Sequence, residues 1–446
     1  MANVCVTGLG YIGLPTAAML ASRGHQVVGF DVNPAVVASI NSGNPHFHEP
    51  DLQMLLSAAI STGRLRAQTE PCESDYYILA VPTPLVSGNK PDLSYVEAAC
   101  RSIAPYLRPG NTVILESTSP VGTTERMCEI IAGLRPDLHV PRYMDEGEVS
   151  DIYACHCPER ILPGQMLREL VMNDRIIGGV TDACAKRGVA LYETFVQSNL
   201  LVTDCRTAEF VKLIENAYRD VNIAFANELS LICEHLGIDV WQAIELANRH
   251  PRVKILQPGP GVGGHCIAID PWFIVDSAPN LSPIIRTARE VNHRKPQWVV
   301  GKVRALARRF RRPVVSFYGL TYKPDVDDLR ESPALEIVRD LALDGSLKVL
   351  ACDPYVRSLP PMLQDLPNVR LVGTEEAKRE ADIVVFLVGH RQFHRLESNG
   401  FLNKVVVDTV GILGSPQRRQ EVVSVSARAT STSHSNGRTN RKRMRA

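Results

Sequence analysis

The chain has 446 residues, which is too long for one typical hydrophobic core and predicts two or three domains. Hydrophobic residues make up 45% of it and charged residues 22%, which excludes a disordered or fibrous class. The formal net charge of +1 favours neither nucleic acid nor a charged membrane surface as a partner. No apolar run reaches the roughly 18 residues that cross a bilayer, so we expect no stable membrane insertion.

The eleven cysteines are scattered singly, apart from Cys155 and Cys157. Without a secretory leader, this usage favours a reducing, cytoplasmic setting. Because no second cysteine or histidine cluster stands at zinc-finger spacing from that pair, we expect no metal site.

The first predicted strand, residues 3–7, runs into a Gly-x-Gly-x-x-Gly sequence formed by Gly8, Gly10 and Gly13. A helix follows, and Asp31 ends the next apolar strand, where a dinucleotide fold places its ribose-binding acid. The glycines allow pyrophosphate to approach a helix N-terminus, while a carboxylate would repel a 2′-phosphate. The unit therefore predicts NAD rather than NADP; FAD or another nucleotide is the alternative.

Two further predicted strands, residues 76–81 and 112–115, end close to threonines, Thr83 and Thr118. Ligands collect beyond the carboxyl ends of strands in an open α/β sheet, so either hydroxyl can bind cofactor or substrate. Capping or turn formation before proline is the alternative interpretation.

A proline-fixed turn at residues 157–164 carries adjacent Glu159 and Arg160. Such a turn can present an acid and a cation to one ligand. An exposed, ion-paired turn would have the same sequence.

Residues 207–234 contain no helix breaker and predict one long helix that links domains or pairs subunits. Lys212, Asn216 and Arg219 recur at spacings of four and three, so they share one stripe of it. A solvated polar face is the alternative meaning of that stripe.

A further helix at residues 239–248 ends in Arg249, His250, Pro251 and Arg252. Guanidinium groups pair with phosphate oxygens bidentately, so this cationic cluster is suited to phosphate recognition. A solvated basic helix end is the alternative.

The segment 258–264 contains four glycines in six positions and is followed by Cys266 and Asp270. Glycines let a ligand or another backbone approach closely. If a helix begins here, its amides would lower the pKa of the thiol, and Asp270 could transfer protons one turn later. The alternative is a turn into an apolar strand with a buried cysteine.

A second α/β unit begins near residue 314, with strands predicted at 314–318, 348–352, 381–388 and 404–408. The predicted fold is α/β, with two Rossmann-like doubly wound domains joined by a long central helix and a helical dimerisation region. The predicted divisions are an NAD-binding domain at 1–205, a helical domain at 206–310, a second Rossmann-like domain at 311–414, whose ligand need not be a dinucleotide, and a disordered basic tail at 415–446.

The residues at 8–13, 116–123, 157–164, 207–229, 248–270 and 319–332 together resemble the UDP-glucose/GDP-mannose dehydrogenase family. The resemblance covers roughly residues 3 to 412. It implies oxidation of a sugar C6 alcohol to a carboxylate with two NAD⁺, through a cysteine thiohemiacetal and thioester.

The resemblance also implies roles. Cys266 is the nucleophile, Lys212 assists proton transfer, Asn216 lies one turn on, and Asp270 helps to activate water. Thr118 and Glu159 stand beside the reacting carbon. The cofactor contacts are Gly8, Gly10, Tyr11, Ile12, Gly13, Asp31, Thr83, Thr118 and Arg330. The substrate contacts are Arg160, Ile161, Lys212, Asn216, Arg219, His250, Arg252, Gly263, Tyr322 and Lys323. His250 and Arg252 would come from a neighbouring subunit, which implies a homodimer at least.

Two positions depart from the family pattern. Pro163 replaces the second glutamate that UDP-glucose enzymes carry, and this form is similar to the N-acetylhexosamine branch, which favours UDP-N-acetyl-D-mannosamine as substrate. Val36 replaces a basic residue of some relatives near Asp31. UDP-N-acetylglucosamine or UDP-glucose as substrate, a non-catalytic NAD and nucleotide-sugar binding protein, and a two-electron dehydrogenase of the 6-phosphogluconate type are the alternatives.

Overall fold

A computed structural model describes residues 1–145, 149–162, 164–396 and 398–413. Pro163 and the predicted basic tail lie outside these ranges, so the expectations about them stay predictions. The strands in the described ranges are β1 (Asn3–Thr7), β2 (Gln26–Phe30), β3 (Leu65–Gln68), β4 (Tyr76–Leu79), β5 (Leu85–Val86), β6 (Lys90–Pro91), β7 (Thr112–Leu115), β8 (Tyr153–His156), β9 (Arg175–Gly179), β10 (Leu200–Asp204), β11 (Val314–Tyr318), β12 (Lys348–Cys352), β13 (Val369–Leu371), β14 (Ile383–Phe386) and β15 (Val405–Asp408).

The helices include one of 32 residues and one of 25. In the same ranges they are α1 (Gly13–Ser22), α2 (Pro34–Asn41), α3 (Leu52–Ser61), α4 (Ser94–Ile103), α5 (Thr123–Leu134), α6 (Met166–Met172), α7 (Asp182–Tyr192), α8 (Cys205–Leu236), α9 (Val240–Ala247), α10 (Asp270–Ser277), α11 (Pro283–Ala307), α12 (Pro333–Ala342), α13 (Pro361–Gln364) and α14 (Thr374–Glu380). None of them is long and apolar enough to span a membrane.

The first sheet has the strand order β10-β9-β8-β7-β4-β1-β2-β3. Its neighbouring strands are parallel except for β8 and β9, which are antiparallel. The strands that follow β1 in the chain are first added on one side of it, as β2 and β3, and then on the other, beginning with β4. This reversal of strand order places a ligand crevice at the carboxyl ends of β1 and β4. The glycine sequence after β1 lies at this switch point, as a dinucleotide-binding fold requires.

The second sheet is parallel throughout, in the order β13-β12-β11-β14-β15. Its switch point lies between β11 and β14. Its core is the buried face formed by Phe317, Val349 and Ile383, among others, packed against α11 and α12. Two doubly wound units and a helical connection confirm the predicted fold class.

The central helix α8 extends two residues beyond each end of the predicted helix. Asp204 caps its start, because the carboxylate accepts the Thr207 N–H at 3.0 Å. Gly237 ends it in the left-handed region, at φ 69°. Leu213 and Ala217 on α8 pack against Phe273 of α10, which brings the segment after Cys266 onto this helix.

A buried carboxylate joins α8 to the first sheet. Glu209 is fully buried and accepts the N–H groups of Gly122 and Thr124, both at 2.7 Å, at the start of α5. Burial raises the pKa of Glu209 to about 7. No pattern in the sequence predicted this contact, which ties the central helix to the loop that carries Thr118.

Candidate active site

The three glycines of the first loop serve different purposes. Gly8 has φ 86°, and a Cβ there would lie 2.5 Å from the Ala80 carbonyl oxygen. A Cβ on Gly13 would lie 1.9 Å from the Gly8 carbonyl oxygen, so both positions are closed by packing. A Cβ on Gly10 would meet nothing within 4 Å, so the open side of the loop is at Gly10.

Side chains from both domains meet at this loop. The Asp31 carboxylate accepts the N–H groups of Leu9 and Asn33, each at 2.9 Å. The Arg330 guanidinium, from the second domain, lies 4.6 Å above the centre of the Tyr11 ring. The structure therefore brings Arg330 to the loop, where the resemblance placed it.

The glycine-rich segment 258–264 packs against the second domain. A Cβ on Gly263 would lie 2.2 Å from the Glu331 carbonyl oxygen. Gly264 has φ 81°, and a Cβ there would lie 2.8 Å from the Tyr322 ring. Close approach of backbone at Gly263, and of an aromatic ring at Gly264, thus accounts for these glycines, in addition to any ligand.

We expect Gly263→Ala to strain the contact between this segment and the second domain. The added methyl group would overlap backbone rather than a flexible side chain, so stability should fall by about 1–3 kcal/mol. Urea unfolding of the variant, followed by circular dichroism, measures the loss.

Gly259→Ala is the matched control, because the nearest atom to its added Cβ is 3.9 Å away, on Gly261. Equal midpoints for the two variants would contradict the packing argument.

Cys266 lies in a turn that leads into α10, and its side chain is exposed. Its carbonyl oxygen accepts the N–H groups of Ile269 and Asp270, at 3.0 and 2.9 Å. The alternative of an apolar strand with a buried cysteine is therefore wrong.

Four residues, with Cys266 among them, come together at this turn. Asn216 on α8 donates to the Asp270 carboxylate at 2.5 Å, and Asp270 is buried. Burial raises the pKa of Asp270 to about 6, against the opposing charge of the Lys212 ammonium. Lys212 and Asn216 thus act on Asp270 from one stripe of α8, as their spacing predicted.

The expected depression of the thiol pKa is wrong. Dense surroundings and the Asp270 charge raise the pKa of Cys266, although Lys212, Arg330 and Lys323 oppose the rise. Helix α10 begins only at Asp270, four residues later, so the thiol does not sit on the amides of its first turn.

The other predicted site residues differ in their surroundings, and some of them contact other parts of the protein while others are exposed. Thr83 donates to the Thr118 carbonyl oxygen at 2.7 Å, and Arg160 donates to Glu215 at 2.8 Å. Ile161 packs against the first core, and Lys323 lies 5.6 Å from the centre of the Tyr322 ring. The remaining cations have exposed side chains; they are Arg219, His250 and Arg252.

Glu159 belongs to a buried charge network that sequence reasoning missed. Its carboxylate bonds to Arg175, and it also accepts the Arg160 N–H at 2.8 Å. Arg175 lies 3.7 Å from Glu116, which accepts the Tyr192 hydroxyl at 2.8 Å. An arginine opening the otherwise apolar strand β9 was the available signal.

Family comparisons match three successive parts of the chain. Residues 2–196 match the NAD binding domain of the UDP-glucose/GDP-mannose dehydrogenase family, 206–294 its central domain, and 316–415 its UDP binding domain. The chain belongs to this family. It is an NAD-dependent oxidoreductase, which confirms the predicted enzyme class and cofactor.

Individual relatives cover almost the full chain. An NDP-N-acetyl-D-galactosaminuronic acid dehydrogenase of Ralstonia nicotianae is 56% identical over 410 residues, 92% of this chain and 96% of the relative. A UDP-N-acetyl-D-mannosamine dehydrogenase of Campylobacter jejuni is 54% identical over 398 residues, 89% and 97% of the two chains. The solved UDP-D-ManNAc dehydrogenase of Pyrococcus horikoshii is 39% identical, with a TM-score of 0.82, over 93% of this chain and 96% of that one.

The loop after β1 fits NAD. The side of the loop at Gly10 is open, and α1 begins three residues later, where its amides suit a pyrophosphate. The Asp31 carboxylate faces the same loop and has oxygen atoms to offer ribose hydroxyls.

Proposed function

We propose that the protein oxidises the C6 alcohol of UDP-N-acetyl-D-mannosamine to the carboxylate, reducing two NAD⁺. The observation that carries the proposal is the meeting of the exposed Cys266 thiol with Lys212, Asn216 and the buried Asp270 around one turn. A two-electron dehydrogenase has no use for a thiol at this place.

When bound, NAD⁺ supplies the hydride acceptor for both oxidation steps. In the first step the C6 alcohol loses a hydride from its carbon and a proton from its oxygen and becomes an aldehyde. The Lys212 ammonium stabilises negative charge on the C6 oxygen, and the pKa of Asp270, about 6, suits a carboxylate that accepts protons near neutral pH.

In the second step the Cys266 sulfur adds to the aldehyde carbon, and the thiol proton leaves. Because the pKa of the thiol is raised, this addition needs a proton acceptor. The thiohemiacetal then loses a hydride from C6 and a proton from its hydroxyl, which gives a thioester. Water attacks the thioester carbon, and the C–S bond breaks to release the free thiol, the carboxylate and one proton.

UDP-N-acetyl-D-galactosamine is the second candidate substrate. The Ralstonia nicotianae relative, at 56% identity, is named for the N-acetylgalactosaminuronate product, whereas relatives named for N-acetylmannosamine reach 54%. Both sugars carry the N-acetyl group that the Glu-Arg-Ile-Leu-Pro-Gly sequence at residues 159–164 favours. They differ in configuration at C2, which carries that group, and at C4.

A panel of UDP-sugars tests the proposal. We expect NADH formation with UDP-N-acetyl-D-mannosamine, at two NADH per sugar consumed, and a kcat/KM at least tenfold lower with UDP-glucose, which lacks the N-acetyl contact. NADH absorbance gives the rate, and product chromatography gives the ratio.

One NADH per sugar with release of aldehyde would contradict the four-electron reaction. Higher kcat/KM for UDP-N-acetyl-D-galactosamine would favour the second candidate, and binding without NADH across the panel would favour a non-catalytic protein.

We also propose that the protein is a homodimer, paired through α8. Apolar side chains that are 40–68% exposed recur along this helix at spacings of four and seven; they are Phe210, Ile214, Tyr218, Phe225 and Ile232. A dimer would bury this stripe, and it would let His250 and Arg252 serve a neighbouring site.

We expect sedimentation velocity to give twice the chain mass, and Tyr218→Asp, which puts a charge into the stripe, to shift it toward the monomer. A wild-type monomer at micromolar concentration would contradict the pairing.

All eleven cysteines are free in the described residues, which supports the cytoplasm as the proposed location.

A further inference from the structure

We propose that a buried polar cluster between α8 and α11 positions the loop that carries Cys266. The loop cluster consists of Asp220 and Asn227 on α8 and Arg289 and Asn292 on α11, each 5% exposed or less. The inference rests on the proposed function only in taking Cys266 as the reacting group.

The start of the loop is held by Asn227. Its side-chain oxygen accepts the Gly259 N–H at 2.9 Å, and its amide nitrogen donates to the Asn292 side chain at 2.8 Å. The amide of Asn227 is therefore oriented from α11 to receive the loop backbone.

The end of the loop lies against the charged half of the cluster. Arg289 donates to the Asp220 carboxylate at 2.6 Å, and the same nitrogen lies 3.5 Å from the Ile267 carbonyl oxygen. Ile267 directly follows Cys266. The Asp220 carboxylate also accepts from Asn292 at 2.8 Å, so the two halves form one network.

The contacts follow one face of α8. Asn216, Asp220 and Asn227 are four and seven residues apart, and they act on Asp270, on Arg289 beside Ile267, and on Gly259, respectively. One rigid helix thus holds the loop directly near its start and at the aspartate, and it holds the position after the thiol through Arg289 of α11. A loop rich in glycine needs such contacts, because its own backbone restricts it little.

Simple cohesion of the two helices does not explain the cluster. A buried ion pair is often no better for stability than apolar residues of similar volume. Moreover, Asp220 Oδ2 and Arg289 Nε have no hydrogen-bond partner among the described residues. The hydrogen-bonding capacity of this ion pair is therefore only partly used within the described structure. What the cluster does provide is polar contact with the loop.

The test compares loop protection with helix stability. Asn227→Leu removes the acceptor for Gly259 at similar volume. We expect hydrogen exchange in peptides covering 255–267 to become at least about fivefold faster. We expect kcat to fall about tenfold, while KM for NAD⁺ changes less than about twofold, since the Gly10 loop is untouched.

Glu234→Gln is the matched control. It breaks the ion pair between Glu234 on α8 and Lys302 on α11, 2.7 Å long, which makes no hydrogen bond to the loop among the described residues. Exchange in the loop should stay at the wild-type rate. Should the leucine variant not fold, Arg289→Lys keeps a cation for Asp220 and withdraws the guanidinium from Ile267, with the same faster exchange expected.

Loop exchange in Asn227→Leu or Arg289→Lys equal to that in Glu234→Gln would overturn the proposal, as would a fall in kcat that merely follows the melting temperature across all three variants. The exchange measurement needs no substrate. If the protein turned over no nucleotide sugar, the anchoring would still be tested, so the two proposals fail separately.

Discussion

Cys266→Ser is expected to lower turnover of the nucleotide sugar by at least about a thousandfold. A hydroxyl is a far weaker nucleophile than a thiolate, and serine does not form the thioester from which the product is hydrolysed. Because the first oxidation does not need the thiol, any residual reaction should give at most one NADH per sugar. NADH absorbance under single-turnover conditions measures both quantities.

Cys72→Ser is the control for that variant. Cys72 is half-buried in the first domain, and hydrogen bonding with Cys5 lowers its pKa to about 6, so it is the more acidic of the two thiols. If acidity alone made a cysteine reactive, Cys72 would be the better candidate. Wild-type activity of Cys72→Ser is expected; full activity of Cys266→Ser would remove the central assignment.

Lys212→Met is expected to lower kcat by about a hundredfold to a thousandfold, because an ammonium no longer stabilises charge on the reacting oxygen. The pH dependence should change as well. The Lys212 charge lowers the pKa of Asp270 from the value that burial alone would set, so its removal raises that pKa above about 6. Asp270 accepts protons only as a carboxylate. As the pH is lowered, the activity of Lys212→Met should therefore fall at a higher pH than the activity of the wild type.

The measurement is kcat/KM across the pH range for both proteins. Lys302→Met is the control, because that lysine lies on α11 and pairs with Glu234 rather than acting on Asp270. An acidic limb at the same pH in Lys212→Met and wild type would show that Asp270 is not the group being titrated.

The local patterns of the sequence predicted the elements well. Strands β11 and β12 have the predicted bounds, and α8 differs by two residues at each end. Apolar periodicity and capping residues act over a few positions, so they can be seen in one stretch of sequence. The glycine loop and Asp31 were predictable for the same reason, since the whole motif lies within the 24 positions from Gly8 to Asp31.

The electrostatics of the site were not predictable in this way. The pKa of Cys266 depends on how densely the protein surrounds it, on Asp270 four residues on, and on Lys212 of another helix. Sequence proximity to a helix start suggested the opposite shift. Crowding by protein atoms and long-range charge are properties of packing, and here they raise the pKa of the thiol, whereas α10 begins too late in the chain to lower it.

The sequence by itself determined the two α/β units, the long helix between them, the cofactor class and the residues grouped near Cys266. Only the tertiary structure decided which contacts hold these residues in place. They are the ion pair between Arg175 and Glu159, the Arg330 guanidinium above the Tyr11 ring, and the hydrogen bonds of the loop cluster. Hydrophobic patterns and backbone preferences depend on neighbouring positions in the sequence, whereas these two charged groups find their partners 16 and 319 positions away. Those pairings exist only once the elements have packed.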